Sequence, residues 1–515
     1  MRKFCLMLAL LLALSLLAGC GGSNNEQESA GSQIDGVFSV GYGKADISPE
    51  KSVYLRGYGE PKEERMSTGV AERLYVTCVA ITDATGKTVL LLANDLIGAR
   101  TNAGKPLREK IASVTGIPFD NVMICCSHNH SGPEPDDPTY AMLMTERMVE
   151  AAVASLADRK PATMETTFSR PEGYNFVRHY LLIDGTYMGE AVGTIPKNQV
   201  YGHYGKADNL LQVVRFNREG DKPVVLMNWQ GHPRGTEPNS HTTATCNYPG
   251  VMRSTVEKEL DCYGAFFLSG SGNVNNNSQI KSEVNHENYM VLGEALGMEV
   301  VAAAENFEPA NTGNIQIAIS YLDGTGKEAS SGAPYYAMSF GDLAFAFAPN
   351  EIFDTNAMAV KDNSKFKMTF YSSCSNDNYG YLPTDPSFDW VQHYEVRITK
   401  YPKGTALVVQ NMLSDLLDQC FAASGNVETE KKEGYVTPPS VPTCNGVEYL
   451  NLTPGDTDSF NPVANGYCQV ALFSKEDNST KPYLALNEEV AREILQQESM
   501  KLLFNDHNVI TGIAE

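Results

Sequence analysis

The chain has 515 residues, which is long enough for one large domain and one smaller domain. Hydrophobic residues make up 42% of it, a share that is typical of folded globular proteins. The formal net charge of −22 at pH 7 means that bulk electrostatics disfavours nucleic acid and anionic lipid as partners.

The N-terminus carries the pattern of an export signal. Two basic residues precede an apolar run over residues 4–18, which is shorter than a membrane-spanning helix requires. The run ends in Leu-Ala-Gly-Cys, which resembles a bacterial lipobox and implies cleavage before Cys20 and lipid attachment to its sulfur. We therefore expect a signal peptide over residues 1–19, a flexible tether over residues 20–36, and an exported protein anchored on the outward side of the bacterial cell membrane. The alternative is an ordinary signal peptide with a coincidental cysteine.

From residue 38 onward, apolar strand patterns alternate with helix patterns. Short apolar runs predict strands over residues 40–47, 75–82, 89–93, 122–126, 224–227, 265–268 and 343–348. Apolar stripes at helical spacing predict helices over residues 106–113, 141–156 and 287–305. This alternation predicts an α/β domain over residues 37–424, built on a mixed sheet with helices on its faces.

The C-terminal part has a different composition. Residues 425–442 are charged and contain prolines, as in a linker. Residues 443–515 combine a strand pattern over 467–473 with a helix pattern over 488–503, preceded by the good N-cap residue Asn487. We expect a small α+β appendage here.

A pair of histidines follows the predicted strand at residues 122–126. His128 and His130 lie two residues apart in a polar loop, so both imidazoles point to one side if the extended geometry continues. Imidazole is the commonest side-chain metal ligand, but a zinc site needs three or four ligands. The pair alone therefore fits either a metal site or ordinary hydrogen bonding in a loop. The chain contains no Cys-x-x-Cys, which disfavours a cysteine-based site.

Several other predicted strands also end in a loop that carries a polar side chain able to act as a ligand. These side chains are Asp95, His232, Asn273 and Glu351. In open α/β sheets, sites form where strand ends meet, so we expect these loops and the histidine pair to share one pocket.

Taken together, these motifs resemble those of the neutral or alkaline, non-lysosomal ceramidases, a family of zinc amidases. The similarity runs in order over residues 38–420. It rests on Gly43-Lys-Ala-Asp-Ile47, Gly57-Tyr-Gly59, Ser67-Thr-Gly-Val70, Ser127-His-Asn-His-Ser-Gly-Pro133, Asn228-Trp229 with His232, Pro349-Asn-Glu351, Asn376-Asp-Asn-Tyr-Gly-Tyr381 and Gln392-His-Tyr-Glu395.

The resemblance implies a Zn²⁺ ion held by His128, His232, Glu351 and Tyr381. It also implies catalytic roles for a further histidine, an arginine and a second tyrosine, which we assign to His130, Arg178 and Tyr394. The implied reaction is hydrolysis of an amide bond in N-acylsphingosine or another N-acyl compound, with water activated by the zinc as the nucleophile. Alternative interpretations remain open for single residues: Tyr381 as a core tyrosine with Tyr379 as its rival, and Glu351 as a helix N-terminal acid.

The sequence departs from the family pattern at two places. Asn275 occupies the position of a family serine, and asparagine cannot act as a serine-type nucleophile. Arg234 follows His232 and Pro233, and an arginine near the pocket favours an anionic group on the substrate. We assign substrate binding to Asn273, Asn275 and Arg234. The alternative function is a ligand-binding lipoprotein of the same fold that catalyses no reaction.

Overall fold

The computed structural model describes the chain from residue 36 to residue 514. Residues 59–61, 100, 190–196, 235–241, 277–288, 323–332, 391, 437–448, 452–459, 475–478 and 498–499 within that range are not described. The predicted signal peptide, most of the tether and Cys20 therefore lie outside the described residues, as does part of the predicted linker.

In the described part of the chain, nine strands form one mixed sheet, the main sheet. They are β1 (Ser39–Asp46), β2 (Tyr75–Thr82), β3 (Thr88–Asn94), β4 (Val122–Cys126), β5 (Lys160–Ser169), β6 (Leu211–Arg218), β7 (Val224–Trp229), β8 (Tyr263–Leu268) and β9 (Glu308–Ala310). Their order is β8-β7-β6-β5-β1-β2-β3-β4, with β9 paired to β5. The β3–β4 and β7–β8 pairs are parallel and the other pairs are antiparallel.

A second sheet packs against the main sheet. Its described strands are β10 (Ile315–Leu322), β11 (Ala333–Phe340), β12 (Leu343–Phe347) and β13 (Met368–Ser372), in that order. The helices are α1 (Thr101–Thr115), α2 (Pro138–Ala157), α3 (Asn247–Glu259), α4 (Tyr289–Ala303), α5 (Asp354–Asn363), α6 (Tyr394–Ile398), α7 (Thr405–Ser424) and α8 (Glu488–Leu495).

The two sheets and their helices form four layers. Alternate residues of β2 face opposite ways: Val79 and Ile81 join a core with phenylalanines of the second sheet, whereas Cys78 and Ala80 join a core with α1 and α2. The other face of the second sheet packs on α5 and α7. Both faces of the main sheet are therefore apolar, which explains why its strands appear in the sequence as nearly continuous hydrophobic runs.

The Gly-Tyr-Gly segment of β1 lets a helix approach the sheet closely. A Cβ on Gly43 would lie 2.1 Å from the Ala151 carbonyl oxygen of α2, and one on Gly41 would lie 2.0 Å from the Ser155 carbonyl oxygen. No side chain fits at such distances. The glycines of the Gly43-Lys-Ala-Asp-Ile47 region thus have a packing role beneath α2.

Shorter strands complete the described structure. Two-to-four-residue strands are found at Leu55–Arg56, Gly69–Val70, Gly132–Pro133, Phe176–Val177, Tyr180–Leu182, Tyr187–Gly189, Val200–His203, Thr243–Ala244, Val274–Asn275, Glu351–Ile352, Tyr381–Leu382 and Gln392–His393. The C-terminal sheet contains Tyr449–Asn451, Asn461–Pro462, Cys468–Ser474, Ser479–Ala485, Leu502–Phe504 and Ile510–Ile513.

The predicted fold class is confirmed: an α/β structure with a mixed sheet, helices on its faces and a small C-terminal α+β region. The helix predicted over residues 488–503 was too long. Asn487 caps α8 by accepting a hydrogen bond from the Val490 N–H, but the helix ends at Leu495. Leu502–Phe504 instead pairs with Ile510–Ile513, because pairing with a neighbouring strand overrides the local helix pattern there.

Two further observations bear on the domain predictions. Tyr435, inside the predicted linker, is buried and its hydroxyl accepts hydrogen bonds from Gln212 and Thr369. Across the described residues, we find no helix with the length and apolar character needed to cross a membrane. The exact domain boundaries remain predictions.

Candidate metal centre

A turn in the backbone after β4 brings the side chains of His128 and His130 into one pocket. The strand ends at Cys126, and His128 has a φ of +61°, a left-handed conformation that is uncommon outside glycine. The expected extended geometry therefore does not continue through the loop. The rings of His128 and His130 nevertheless lie 4.8 Å apart, centroid to centroid. Strained backbone of this kind persists where the surrounding structure holds it, often at functional sites.

Three other segments bring ligands to the same place. His232 lies three residues after Trp229, the last residue of β7. Glu351 follows β12 and pairs with Tyr381 in a short parallel ladder, Glu351–Ile352 with Tyr381–Leu382. Main-sheet loops thus supply two histidines, and the connections of the second sheet supply the carboxylate and the phenol.

The contacts among these side chains have the dimensions of a metal site. Glu351 Oε2 lies 3.1 Å from His128 Nε2 and 3.4 Å from His232 Nε2, and the Tyr381 hydroxyl lies 3.4 Å from His232 Nε2. A tetrahedral zinc ion with bonds of about 2.0–2.1 Å places its ligand atoms about 3.3 Å apart. All four side chains are buried, with exposures between 0% and 7%.

Both ligand histidines are held by backbone carbonyls. His128 Nδ1 lies 2.8 Å from the Ile97 carbonyl oxygen, and His232 Nδ1 lies 2.7 Å from that of Ser271. We assign the proton to each Nδ1, which leaves the Nε2 lone pairs directed at the centre. Burial, followed by the charge of Arg178, lowers the pKa of His232 to about 4, so its imidazole is neutral near pH 7. A neutral imidazole is the form that binds metal.

The buried polar atoms of the pocket are under-satisfied by protein partners. Glu351 Oε2 and both ring nitrogens of His130 are buried and have no hydrogen-bond partner among the described residues. The ligand atoms of His128, His130 and His232 all lie within 4.8 Å of one another. Buried polar groups are normally paired, so this concentration of unpaired atoms fits a cation at the centre. Two imidazole nitrogens with two oxygens form a donor set that suits zinc.

The predicted catalytic arginine and tyrosine line the same pocket. Arg178 Nη2 donates to the Tyr381 hydroxyl at 3.3 Å and to the Gly272 carbonyl at 2.7 Å. The Arg178 guanidinium lies 5.9 Å from the centroid of the Tyr394 ring, which is 6.0 Å from that of Tyr381. Tyr394 is only partly buried, so part of its side chain is accessible to solvent.

The three predicted substrate-binding residues differ in their surroundings. Asn273 exchanges two hydrogen bonds with Asp354, at 2.7 and 2.8 Å, so its amide is used by the scaffold. The backbone of Asn275 forms an isolated parallel β-bridge with that of His232. The side-chain Oδ1 of Asn275 is buried and has no hydrogen-bond partner in the described structure. Arg234 is partly exposed, and its guanidinium lies 5.8 Å from the Tyr58 ring centroid. Of these three residues, Asn275 has a buried polar atom that no described residue pairs.

Asp95 does not join the pocket as the sequence pattern suggested. Its carboxylate forms a buried bidentate ion pair with Arg253, at 2.8 and 2.9 Å, and accepts the Tyr75 N–H at 2.8 Å. Through this ion pair, the carboxylate at the end of β3 holds α3 on the main sheet. A strand-end position predicts the location of an acid but not the partner that it meets.

Sequence reasoning missed several residues of the site. Glu395 accepts a hydrogen bond from Arg178 Nε at 2.6 Å and lies between His179 and His393. Arg65 donates to the His130 carbonyl at 3.0 Å. Gly57 has a φ of +148°, and a Cβ there would lie 2.6 Å from His130 Cβ. The Gly-Tyr-Gly motif at Gly57 was the available signal, since a close approach to a site loop requires glycine.

Comparison of the sequence with protein-family models and with curated proteins gives no match. Solved structures do match the fold. A ceramidase complexed with C2 has a TM-score of 0.62 at 15% sequence identity, and the neutral ceramidase from Pseudomonas aeruginosa has a TM-score of 0.60 at 15% identity. Each alignment covers 85% of this chain and 84% of the other chain. The chain therefore has the fold of the neutral ceramidases.

Proposed function

We propose that the protein is a zinc-dependent hydrolase of an amide bond. One observation carries this proposal: two histidine Nε2 atoms lie 3.1 and 3.4 Å from one buried Glu351 oxygen, with the Tyr381 hydroxyl beside them. His128, His232, Glu351 and Tyr381 would hold the ion. A pocket that only bound a ligand would not need two imidazole nitrogens directed at one buried carboxylate oxygen. The shared fold with ceramidases supports the proposal.

The remaining side chains of the pocket have complementary chemistry. Bound zinc would polarise the amide carbonyl and lower the pKa of a coordinated water. Burial, followed by the neighbouring His128, holds the pKa of His130 well below its usual value, so His130 is a neutral proton acceptor. Arg178 and Tyr394 can donate hydrogen bonds to the oxygen on which negative charge develops.

The choice of nucleophile follows from Asn275. A carboxamide has no proton-bearing oxygen that could attack a carbonyl, so water is the nucleophile in this proposal. Asn275 lies beside His232, and its Oδ1 has no hydrogen-bond partner among the described residues. Its amide is suited to orient a substrate N–H or a water in the pocket.

We further propose an N-acyl compound as the substrate, with ceramide as one member of the class. The likeness in fold to ceramidases supports this class. The partly exposed Arg234 favours substrates that carry an anionic group. We also propose export and lipid anchoring at Cys20. Detergent-phase partitioning of the Cys20→Ala variant tests this, since partitioning equal to that of the unmutated protein contradicts it.

The first experiment measures zinc content and hydrolysis together. We expect zinc in the purified protein, release of fatty acid from a panel of N-acyl amides that includes ceramide, and loss of both in His232→Ala. His203→Gln is the matched control, because His203 is a largely buried histidine whose Nδ1 binds the Val177 carbonyl at 2.7 Å outside the pocket. Absence of zinc after incubation with the metal would overturn the hydrolase proposal. Zinc without hydrolysis of any amide would favour the non-catalytic binding protein.

A further inference from the structure

Arg178 connects the candidate metal centre to a second histidine–carboxylate cluster. Glu395 Oε1 accepts Arg178 Nε at 2.6 Å and Nη2 at 2.5 Å. The other oxygen, Glu395 Oε2, lies 3.1 Å from His393 Nδ1 and 3.4 Å from His179 Nε2. The three side chains are buried, with exposures of 1% for Glu395, 6% for His393 and 1% for His179.

The buried polar atoms of this cluster are under-satisfied by protein partners. Glu395 Oε2 and His179 Nε2 are buried atoms without a hydrogen-bond partner in the described part of the chain. His393 Nδ1 accepts the Val396 N–H at 3.3 Å as the N-cap of α6, and His393 Nε2 is a third buried atom without a hydrogen-bond partner among the described residues. Two imidazoles and one carboxylate thus leave three buried polar atoms unpaired within one small cluster, which fits a cation bound among them.

The cluster has the same dimensions as the candidate metal centre. In both places one carboxylate oxygen lies 3.1 Å from one imidazole nitrogen and 3.4 Å from another. In both places that oxygen is buried and has no hydrogen-bond partner among the described residues. The ligand atoms of His179, His393 and Glu395 also lie within 4.8 Å of one another.

We propose that His179, His393 and Glu395 bind a second divalent metal ion. Two imidazoles and one carboxylate suit zinc or a neighbouring first-row metal, and three protein ligands leave a fourth position for water. This site is independent of the amide-hydrolase proposal, because none of its three ligands belongs to the first centre.

The second ion would act as a positioning element for Arg178. It would fix Glu395 through Oε2, while Oε1 remains bound to the guanidinium. Arg178 in turn reaches the Tyr381 hydroxyl at 3.3 Å. Hydrogen bonds from an outer residue to a ligating carboxylate are a common feature of metal sites. The second ion would thus set the direction of a side chain in the first pocket without touching the substrate.

The test counts metal ions per chain. The purified protein is stripped with a chelator, reloaded with Zn²⁺ alone, freed of unbound ion and analysed for zinc and protein. We expect two equivalents in the unmutated protein, one in His179→Gln and one in His393→Asn. Asparagine at position 393 retains an N-cap acceptor for α6 while removing the imidazole. His203→Gln is expected to retain two equivalents.

The variants of the two centres separate the two proposals. His232→Ala is expected to lose one equivalent and keep the second. If the unmutated protein binds one equivalent that disappears only in His232→Ala, the second site is wrong and the first stands. If one equivalent disappears only in His179→Gln and His393→Asn, the second site stands and the first is wrong. Thermal unfolding shows whether each variant is folded. If His179→Gln is misfolded, the zinc content of His393→Asn decides whether the second site exists.

Discussion

The imidazoles of His128 and His232 differ from ordinary buried histidines in how their two nitrogens are used. Each Nδ1 is bound to a backbone carbonyl, and each Nε2 faces Glu351. A histidine that only filled the core would have both nitrogens paired within the protein. Neither ring nitrogen of His130 is paired with another residue in the described ranges, which fits a group that meets a substrate or water. These differences depend on three-dimensional partners, so no local sequence pattern could have assigned the three roles.

Arg234 is the residue most suited to select among substrates. Burial, followed by the nearby Arg178, lowers its pKa. A largely buried guanidinium gains from an anionic partner that is held close to it, and an anionic substrate group would supply such a partner. We expect Arg234→Gln to reduce kcat/KM for a carboxylate-bearing N-acyl amide by roughly 10- to 100-fold, the loss of one hydrogen bond to a charged group.

The control for this prediction is a neutral N-acyl amide of the same acyl length. Its kcat/KM is expected to change by less than about twofold in Arg234→Gln, since an uncharged group gains little from the guanidinium. The unmutated protein is expected to prefer the carboxylate-bearing compound. An equal loss for both compounds would show that Arg234 maintains the pocket and does not select the substrate.

At the scale of elements, the sequence predicted where strands lie better than it predicted which strands pair. The strand at Tyr75–Thr82 was predicted with its observed bounds, because a buried strand in a two-faced core is a continuous apolar run. Strand-end positions also located His232 and Glu351. The pairing of Glu351 with Tyr381 was beyond prediction, since a ladder between segments thirty residues apart depends on the packing of the second sheet. The same limit explains why His179 and His393 were missed.

The packing of β1 against α2 gives a test at this scale. A Cβ on Gly43 would lie 2.1 Å from the Ala151 carbonyl oxygen and 2.8 Å from the Ser155 nitrogen. Both are backbone atoms, so rotation of a side chain cannot relieve the clash. We expect Gly43→Ala to destabilise the protein by about 1–3 kcal/mol or more through overpacking. A fall in the midpoint of thermal unfolding measures this effect.

Gly69→Ala provides the matched control. Gly69 lies in a short strand with nothing within 4 Å of its added Cβ, so its effect should stay within about 0.5 kcal/mol. If both variants unfold at the same temperature as the unmutated protein, the backbone of α2 can move away from β1 at little cost. The close approach seen at Gly43 would then have no role in stability.

At the scale of the whole molecule, the candidate metal centre joins two sheets. His128 and His232 come from loops of the main sheet, whereas Glu351 and Tyr381 come from connections of the second sheet. The apolar core between the sheets already holds these layers together. A metal ion bound at their common end would add a link between residues that are more than two hundred positions apart in the chain. Metal binding and folding stability are therefore expected to be coupled.

Removal of the metal should consequently lower the unfolding temperature. A ligand that binds only the folded state stabilises it by about 2.7 kcal/mol when its free concentration is 100 times its dissociation constant. We expect a chelator to lower the midpoint of the unmutated protein by several degrees and added Zn²⁺ to restore it. The double variant His128→Ala/His179→Gln should unfold at the same temperature with and without chelator, because each proposed centre has lost a ligand. A chelator effect that persists undiminished in this variant would place the stabilising ion elsewhere in the protein.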